Sequence, residues 1–168
     1  ADAVRAAAKS AVAGQMRESG RSLERNRIGQ ALEHQPEIRQ ELANLREGPP
    51  PKVTFVPHLA PMTRGIHATC YAPLTRAVTR AEVTRIYRDF YAAAPFTDVV
   101  ETPPHTKQTL ANNMCLVHPA IDERNGMLIA IGVLDNLVKG AAGQAIENMN
   151  LMLGLEQTAG LDLPAVYP

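Results

Sequence analysis

Hydrophobic and polar positions alternate with a period of two over residues 65–72. The apolar side of this alternation carries Ile66, Ala68, Cys70 and Ala72. A period of two is the spacing with which side chains project from the two faces of a β-strand. The pattern therefore predicts a strand that is buried on one face.

A helical period follows at residues 79–91. Thr79 and Glu82 have the spacing of a capping box, which favours the start of a helix. An apolar stripe then recurs every three or four residues and consists of Val83, Ile86, Tyr87, Phe90 and Tyr91. Such a stripe is typical of an amphipathic helix, and Pro95 is expected to end it.

Further segments complete the predicted architecture. Strands are predicted at residues 53–56, 97–101, 114–121 and 127–134. The last two flank an Asn-Gly pair at residues 125–126, which favours a hairpin turn. A helix is predicted to begin at Pro36, which suits a first turn, and to stop before Gly48.

One more helix is predicted near the end of the chain. Its apolar stripe consists of Ala142, Ala145, Ile146, Met149, Met152 and Leu153, and Gly154 stands at a C-cap position. Helices and strands in this mixed order predict an α+β fold, with a mixed or antiparallel sheet of about five strands and helices on one face.

The composition excludes several classes of partner. The 17 basic and 17 acidic residues cancel to a formal net charge of 0, which argues against binding to nucleic acid or anionic lipid. No stretch approaches the ~20 apolar residues of a membrane helix, and residues 1–30 contain no apolar signal segment. Two cysteines cannot form a disulfide framework. We therefore expect a cytoplasmic protein without nucleic-acid or membrane partners.

Apolar residues are unevenly distributed along the chain. Residues 1–51 hold 8 of the 39 Leu, Ile, Val and Phe residues but 15 of the 34 charges. Residues 52–168 can build a core, whereas the first part cannot do so alone. The chain begins with Ala1 rather than Met, and we expect it to be a trimmed chain or a piece of a longer one.

The segment 135–155 carries candidate chemistry. Asn136 lies where the preceding strand ends, and Lys139 and Gly140 open the following helix. Free amides at a helix start, a nearby ammonium group and a glycine together suit an anion or a nucleotide. In the alternative interpretation Asn136 caps the helix, and Gly140 and Gly143 permit tight packing. Spacing alone favours this alternative.

Several segments resemble one enzyme family. The stretches "DNLVKGAAGQAIENMNLMLGL", "VTFVPHLAPMTRGIHATCYAPL" and "HQPEIRQEL" resemble the C-terminal half of N-acetyl-gamma-glutamyl-phosphate reductase, an enzyme of the aspartate-semialdehyde dehydrogenase-like superfamily. "EVTRIYRDFY", "PFTDVV", "NNMC" and "DERNG" follow the family's order as well. The resemblance covers residues 34–160.

The resemblance implies a substrate-binding and dimerisation domain at residues 34–168, like the C-terminal domain of glyceraldehyde-3-phosphate dehydrogenase. It implies a homo-oligomer and a separate nucleotide-binding domain that holds NADP. The family reduces the acyl phosphate N-acetyl-gamma-glutamyl phosphate to N-acetylglutamate semialdehyde in arginine biosynthesis. A cysteine thiolate displaces phosphate, and hydride from NADPH reduces the thioester while a histidine acts as acid and base.

The resemblance also implies roles for individual residues. Asn136, Lys139 and Gly140 are expected to lie against the nicotinamide end of NADP. Arg64 is expected to bind the anionic groups of the substrate, because a guanidinium group suits carboxylate or phosphate. His58 is a second candidate for substrate binding.

The sequence departs from the family where the chemistry takes place. The glycine-rich turn of a dinucleotide-binding domain and the "GCYPT" motif of the nucleophile are missing. Leu32 replaces the family's histidine base, and His34 is the nearest candidate. Residues 1–33 are interpreted as a divergent or truncated N-terminal arm. We expect the chain alone to bind NADP weakly.

Neither cysteine is predicted to be catalytic. Cys70 stands in "TCYAP", which imitates the nucleophile motif, but the alternation of its strand places it on the core face. Cys115 and His118 have the spacing of metal ligands, yet a zinc site requires four ligands and no second pair lies at a suitable offset. We therefore expect no metal site.

The leading hypothesis is thus a part of an NADP-dependent reductase that is incomplete and inactive as this chain. The alternative is a non-catalytic binding or assembly module that pairs with a full-length reductase. A self-sufficient enzyme that uses Cys70 or His34 is a third hypothesis. The helix at residues 140–153 is expected to expose its apolar face, because its partner would be the missing nucleotide-binding domain.

Overall fold

The computed structural model describes residues 28–45, 48–58 and 60–166. In chain order the elements are α1 (Ile28–Ala43), β1 (Ile66–Pro73), α2 (Arg80–Tyr91), β2 (Thr97–Val99), β3 (Cys115–Asp122), β4 (Met127–Leu134) and α3 (Gly143–Met152). A 3-10 turn at Thr106–Thr109 precedes β3, and a π-helical turn at Val138–Ala142 leads into α3. None of the helices in the described ranges is both long enough and apolar enough to cross a bilayer.

The four strands form one mixed sheet in the order β1-β4-β3-β2. Strand β4 lies antiparallel to both of its neighbours, whereas the short β2 runs parallel to β3. This arrangement confirms the predicted α+β fold class with a mixed sheet.

The strand predicted at residues 53–56 is wrong, so the sheet in the described residues has four strands rather than about five. Pro51 and Pro57 flank this segment, and prolines lack the N–H group that a strand ladder requires. The carbonyl of Val53 instead accepts a hydrogen bond from Nε2 of Gln35, in α1.

Helix α1 begins earlier than predicted. It runs from Ile28 and contains Pro36, so the expectation that Pro36 opens the helix is wrong. The Ala-Leu-Glu run at residues 31–33 favours helix, and a proline removes a single backbone hydrogen bond from it. The predicted boundary between arm and domain at residues 33 and 34 falls inside α1. Since residues 1–27 lie outside the described ranges, this division stays a prediction.

The predicted hairpin between β3 and β4 is confirmed. Gly126 has φ +60°, a left-handed conformation that glycine adopts without strain. Asp122 Oδ1 accepts hydrogen bonds from the N–H groups of Arg124 and Asn125 at 3.1 and 3.2 Å. The bond from the Asn125 side chain contributes most to holding the pKa of Asp122 below its usual value.

The core lies between α2 and one face of the sheet. Thr79 caps α2 by accepting a hydrogen bond from the N–H of Glu82 at 3.1 Å, as the capping box predicts. The buried residues of α2 and the sheet form one cluster: Val83, Tyr87, Tyr91, Val99, Cys115, Val117, Leu128, Ala130 and Leu134. Burial alternates along β1 as predicted, and Cys70 packs against this cluster.

Helix α3 differs from α2 in that its polar side faces the domain and its apolar side faces outward. Its inward side buries Gln144, Glu147 and Asn150, whereas its outward side exposes Ala142, Ala145, Ile146, Met149, Met152 and Leu153. The helix ends in a Schellman motif, in which Gly154 has φ +67° and the N–H of Leu155 donates to the carbonyl of Asn150 at 2.8 Å. The exposed apolar face and the glycine stop are both confirmed.

Candidate functional site

Asp135 connects three segments at one end of the sheet. It directly follows β4, and its side chain is fully buried. Oδ1 accepts hydrogen bonds from the N–H groups of Leu137 and Val138 at 2.8 and 2.9 Å, and Oδ2 accepts one from the N–H of Ala111 at 2.8 Å. Both oxygens also contact Nη2 of Arg64, at 2.6 and 2.5 Å. The carboxylate is therefore held by donors from three separate parts of the chain.

Strand register brings Arg64 to Asp135. Strands β1 and β4 are antiparallel, and the first residue of β1 lies opposite the last residue of β4. The residues just before β1 and just after β4 are therefore neighbours. A second contact joins the same two segments, because the N–H of Gly65 donates to Oδ1 of Asn136 at 2.7 Å.

The guanidinium group of Arg64 is only partly used by the protein. Its side chain is 33% exposed. Among the described residues, Nη1 has no hydrogen-bond partner, and Nε is buried without one. The N–H groups of Nη1 are therefore left as donors for an anionic ligand, whereas Nε is enclosed by the protein.

The surroundings of Asp135 favour its ionised form. Burial raises the pKa of a carboxyl group, but here the hydrogen bond from Arg64 and the three from backbone amides outweigh burial and hold the pKa below its usual value. Asp135 is consequently a carboxylate at neutral pH, and its charge is matched by that of Arg64.

The 3-10 turn packs against the same end of the sheet. Gly65 has φ +101°, and a Cβ atom there would lie 2.6 Å from Cβ of Thr106, so this position requires glycine. Ala111 follows the turn with φ +61°, a conformation that costs a non-glycine residue on the order of 1 kcal/mol. The hydrogen bond from its N–H to Asp135 offsets this strain.

Lys139 points into the domain. Only 6% of its side chain is exposed, and Nζ lies 2.6 Å from Oε2 of Glu147. The ammonium group also lies 5.3 Å from the centre of the Phe96 ring. Glu147 accepts two further hydrogen bonds, from Nδ2 of Asn113 at 3.1 Å and from Nε2 of Gln157 at 2.7 Å. We call these four polar residues, Asn113, Lys139, Glu147 and Gln157, the Glu147 cluster.

Three backbone amides after β4 are used within the protein. Those of residues 137 and 138 bond the Asp135 side chain, and the N–H of Gly140 donates to the Asp135 carbonyl at 2.9 Å. A Cβ atom at Gly143 would overlap Oδ1 of Asn113. This geometry supports the interpretation in which Gly140 and Gly143 permit tight packing.

The structure shows no contact between His58 and this site in the described part of the chain. His58 is exposed, and its Nδ1 lies 3.1 Å from the carbonyl of Val56. No hydrogen bond joins His58 to Arg64 in the described part of the chain. Leu32 and His34 belong to α1, but their side chains lie outside the described residues. The roles of His58 and His34 therefore stay predictions.

Both thiols are in environments that disfavour the thiolate. Burial raises the pKa of Cys70, and it raises the pKa of Cys115 to about 11. Nδ1 of His118 lies 3.0 Å from the carbonyl of Val100. The described residues contain no group of three or more possible metal ligands. The position of Cys70 agrees with the predicted core residue.

Sequence reasoning missed Asp135 and Glu147, the two carboxylates that organise this region. Asp135 gives one signal, since a charged residue directly follows the apolar strand at residues 127–134. Glu147 lies eight residues after Lys139, which is close to two helical turns, so the two can meet on one side of a helix. Their other partners, such as Arg64 and Asn113, are distant in sequence and give no local signal.

Comparison with known proteins agrees with this architecture. The profile of the semialdehyde dehydrogenase dimerisation domain matches residues 6–136. The chain belongs to this family. The match includes β1 to β4 and both Arg64 and Asp135.

Three curated relatives of this semialdehyde dehydrogenase domain share one name. A protein of Dehalococcoides mccartyi named N-acetyl-gamma-glutamyl-phosphate reductase is 55% identical over 135 residues, which are 80% of this chain and 40% of the relative. Proteins with the same name from Citrifermentans bemidjiense and Desulforamulus reducens are 46% and 47% identical, over 84% and 80% of this chain and 41% and 39% of their own lengths. The resemblance seen in the sequence is confirmed, and the chain spans about 40% of the length of these relatives.

Proposed function

We propose that this chain is the substrate-binding and dimer-forming part of an NADP-dependent reductase that converts N-acetyl-gamma-glutamyl phosphate to N-acetylglutamate semialdehyde in arginine biosynthesis. The name of the curated relatives supports the reaction, and the family description supports the dimer. The structural observation that carries the proposal is Arg64, a partly exposed cation with unpaired donors at the end of the sheet.

Arg64 is proposed to bind an anionic group of the substrate. N-acetyl-gamma-glutamyl phosphate has a carboxylate and an acyl phosphate, and each offers oxygen atoms to the N–H groups of Nη1. A hydrogen bond between charged groups contributes about 1.5–3 kcal/mol. Arg64 would therefore orient the substrate.

The described residues do not form a complete NADP site. Three of the amides that could cradle a phosphate after β4, those of residues 137, 138 and 140, are used by Asp135. Lys139 is buried against Glu147, and Gly140 is buried as well. Asn136 fits better, because it is partly exposed and its Nδ2 has no described partner. We propose that Asn136 touches the nicotinamide end and that this chain alone binds NADP weakly.

The catalytic thiolate is proposed to come from another part of the reductase. Both described cysteines belong to the core cluster or pack against it, and burial raises the pKa of each thiol. A nucleophile requires the opposite environment, which lowers the thiol pKa.

Two exposed surfaces are proposed to make the contacts of the assembled enzyme. The apolar face of α3 would pack on the nucleotide-binding part of the reductase. The sheet face opposite α2, where Tyr71 is 67% exposed, would pair with a second copy of this domain. The exposed apolar face of α3 also favours a second candidate function, a non-catalytic module that docks on a full-length reductase.

The test is a hybrid enzyme in which residues 34–160 replace the matching segment of the Dehalococcoides mccartyi reductase. The reverse reaction is followed by NADPH absorbance with N-acetylglutamate semialdehyde, phosphate and NADP⁺. We expect turnover by the hybrid and none by the 168-residue chain. Arg64→Ala should lower kcat/KM of the hybrid by about 100-fold, which corresponds to about 2.7 kcal/mol.

Arg76→Ala is the matched control, because Arg76 forms an exposed ion pair with Glu82 on the domain surface. It should leave kcat/KM unchanged. A folded hybrid without turnover would contradict the proposed reaction. Turnover by the 168-residue chain that disappears in Cys70→Ser would instead support the self-sufficient enzyme.

A further inference from the structure

We infer that Asp135 is the positioning residue for Arg64: its buried carboxylate holds Nη2 of the guanidinium group so that the N–H groups of Nη1 remain for the anionic group of the substrate. The inference deepens the proposed function and rests on it for the identity of the substrate. The geometry itself rests only on the contacts of Asp135 and Arg64.

The carboxylate cannot rotate independently of the fold. The N–H groups of Leu137 and Val138 hold Oδ1, and the N–H of Ala111 holds Oδ2. These donors are backbone groups of the two segments that precede β3 and follow β4. Arg64 Nη2 contacts both oxygens, at 2.6 and 2.5 Å, so the carboxylate fixes the position of this end of the guanidinium group.

The two partners differ in burial in a way that suits this role. The Asp135 side chain is fully buried and that of Arg64 is 33% exposed. The fixed partner therefore lies in the interior, and the oriented partner extends to the surface. The two charges offset each other, so ligand selection would depend on the direction of the free N–H groups more than on net positive charge.

A purely structural role is the alternative. Asp135 also resembles a helix cap, because it accepts from the amides two and three residues ahead. Asparagine caps about as well as aspartate, so Asp135→Asn can keep these two bonds. Its amide nitrogen would then face the N–H of Ala111 and Nη2 of Arg64, donor against donor. The substitution therefore separates the capping role from the positioning role.

The first experiment is a double-mutant cycle in the hybrid reductase with Arg64→Ala, Asp135→Asn and the double variant. If Asp135 acts through Arg64, Asp135→Asn should raise KM for the semialdehyde about 10-fold with little change in kcat. The double variant should be no worse than Arg64→Ala alone, because the positioning residue has nothing left to position. Losses that multiply in the double variant would overturn the inference.

Chemical rescue provides a readout that a helix cap does not affect. Millimolar guanidinium chloride should partly restore the Arg64→Ala hybrid, since the Asp135 carboxylate can hold the free cation. It should not restore the double variant, and urea at the same concentration should restore neither. Equal rescue of the two variants would overturn the inference.

A measurement on the 168-residue chain separates this inference from the proposed function. In the unaltered chain the Nη signals of Arg64 should be resolved in ¹⁵N spectra, because the ion pair with Asp135 slows rotation of the guanidinium group. They should merge in Asp135→Asn, whereas Glu82→Gln, which frees Arg76 instead, should leave them resolved. If the hybrid shows no turnover, the proposed function fails and these spectra still decide the inference. Merged Arg64 signals in the unaltered chain would overturn the inference that Asp135 positions Arg64.

Discussion

Helices α2 and α3 have similar apolar periodicity, but their apolar stripes face in opposite directions relative to the core of the domain. Helix α2 turns its apolar stripe inward, where Val83 and Tyr87 are 1% and 0% exposed. Helix α3 turns its apolar stripe outward, where Met149 and Met152 are 48% and 85% exposed. The periodicity therefore identifies a helix and its two faces, but it does not tell which face contacts the domain.

The inward face of α3 shows why this orientation is stable. Glu147 accepts hydrogen bonds from three side chains, and Nδ2 of Asn150 donates to the carbonyls of Gln157 and Ala159 at 3.2 and 3.0 Å. Buried polar groups are tolerated when they are paired in this way. Helix α2 is held by apolar packing and α3 by a polar cluster, which leaves the apolar face of α3 for another surface.

The largest expected effect is on the core side of α2. Tyr87→Ala should lower the free energy of unfolding by about 3–5 kcal/mol, because it opens a cavity in the centre of the core cluster. Met149→Ala, on the outward face of α3, should change it by less than about 0.5 kcal/mol. Urea unfolding followed by circular dichroism gives both values. Similar losses in the two variants would show that α3 is packed on both faces.

Breaking the Glu147 cluster should have the next largest effect. Glu147→Gln leaves the buried Lys139 ammonium without an opposite charge, and we expect a loss of about 3 kcal/mol in the free energy of unfolding. Glu82→Gln is the matched control, because it breaks an ion pair in which Arg76 is 54% exposed; it should cost less than about 1 kcal/mol. Equal costs would mean that the cluster does not hold α3.

The same contrast explains which parts of the fold could be predicted. Helix α2 carries local signals for its start and for its apolar stripe, namely Thr79, Glu82 and the residues after them. Its own sequence is therefore sufficient to predict the helix. The Asn-Gly turn before β4 is equally local. The predictions for Pro36 and for the segment 53–56 are wrong, because a helix can continue through a proline and a strand requires a neighbouring strand to pair with, which a local pattern does not show.

The candidate site depends on contacts that no local pattern carries. Arg64 and Asp135 are 71 residues apart, and they meet only because β1 pairs with β4. The sequence singled out Arg64, Asn136 and Lys139. The spacing of Lys139 and Glu147 permits their ion pair, but no local pattern shows that this pair is buried in the domain. Residues of one sequence motif can therefore differ in role, because the role of each depends on the partners that the fold brings to it.

The smallest expected effect in the isolated chain is that of Met152→Ser. Since the side chain is 85% exposed, the change should alter the free energy of unfolding by less than about 0.5 kcal/mol. In the hybrid reductase the outward face of α3 is proposed to be covered, and the same change should then cost about 1–3 kcal/mol, as for a residue removed from water. Parallel urea unfolding of the chain and the hybrid measures both values. A small effect in both proteins would contradict the proposed docking of α3, because the face would then be exposed to solvent in the assembled enzyme too. A large effect in the hybrid alone would mean that α3 becomes equivalent to α2 once its partner is present, with apolar packing on the outward face added to the polar cluster beneath it.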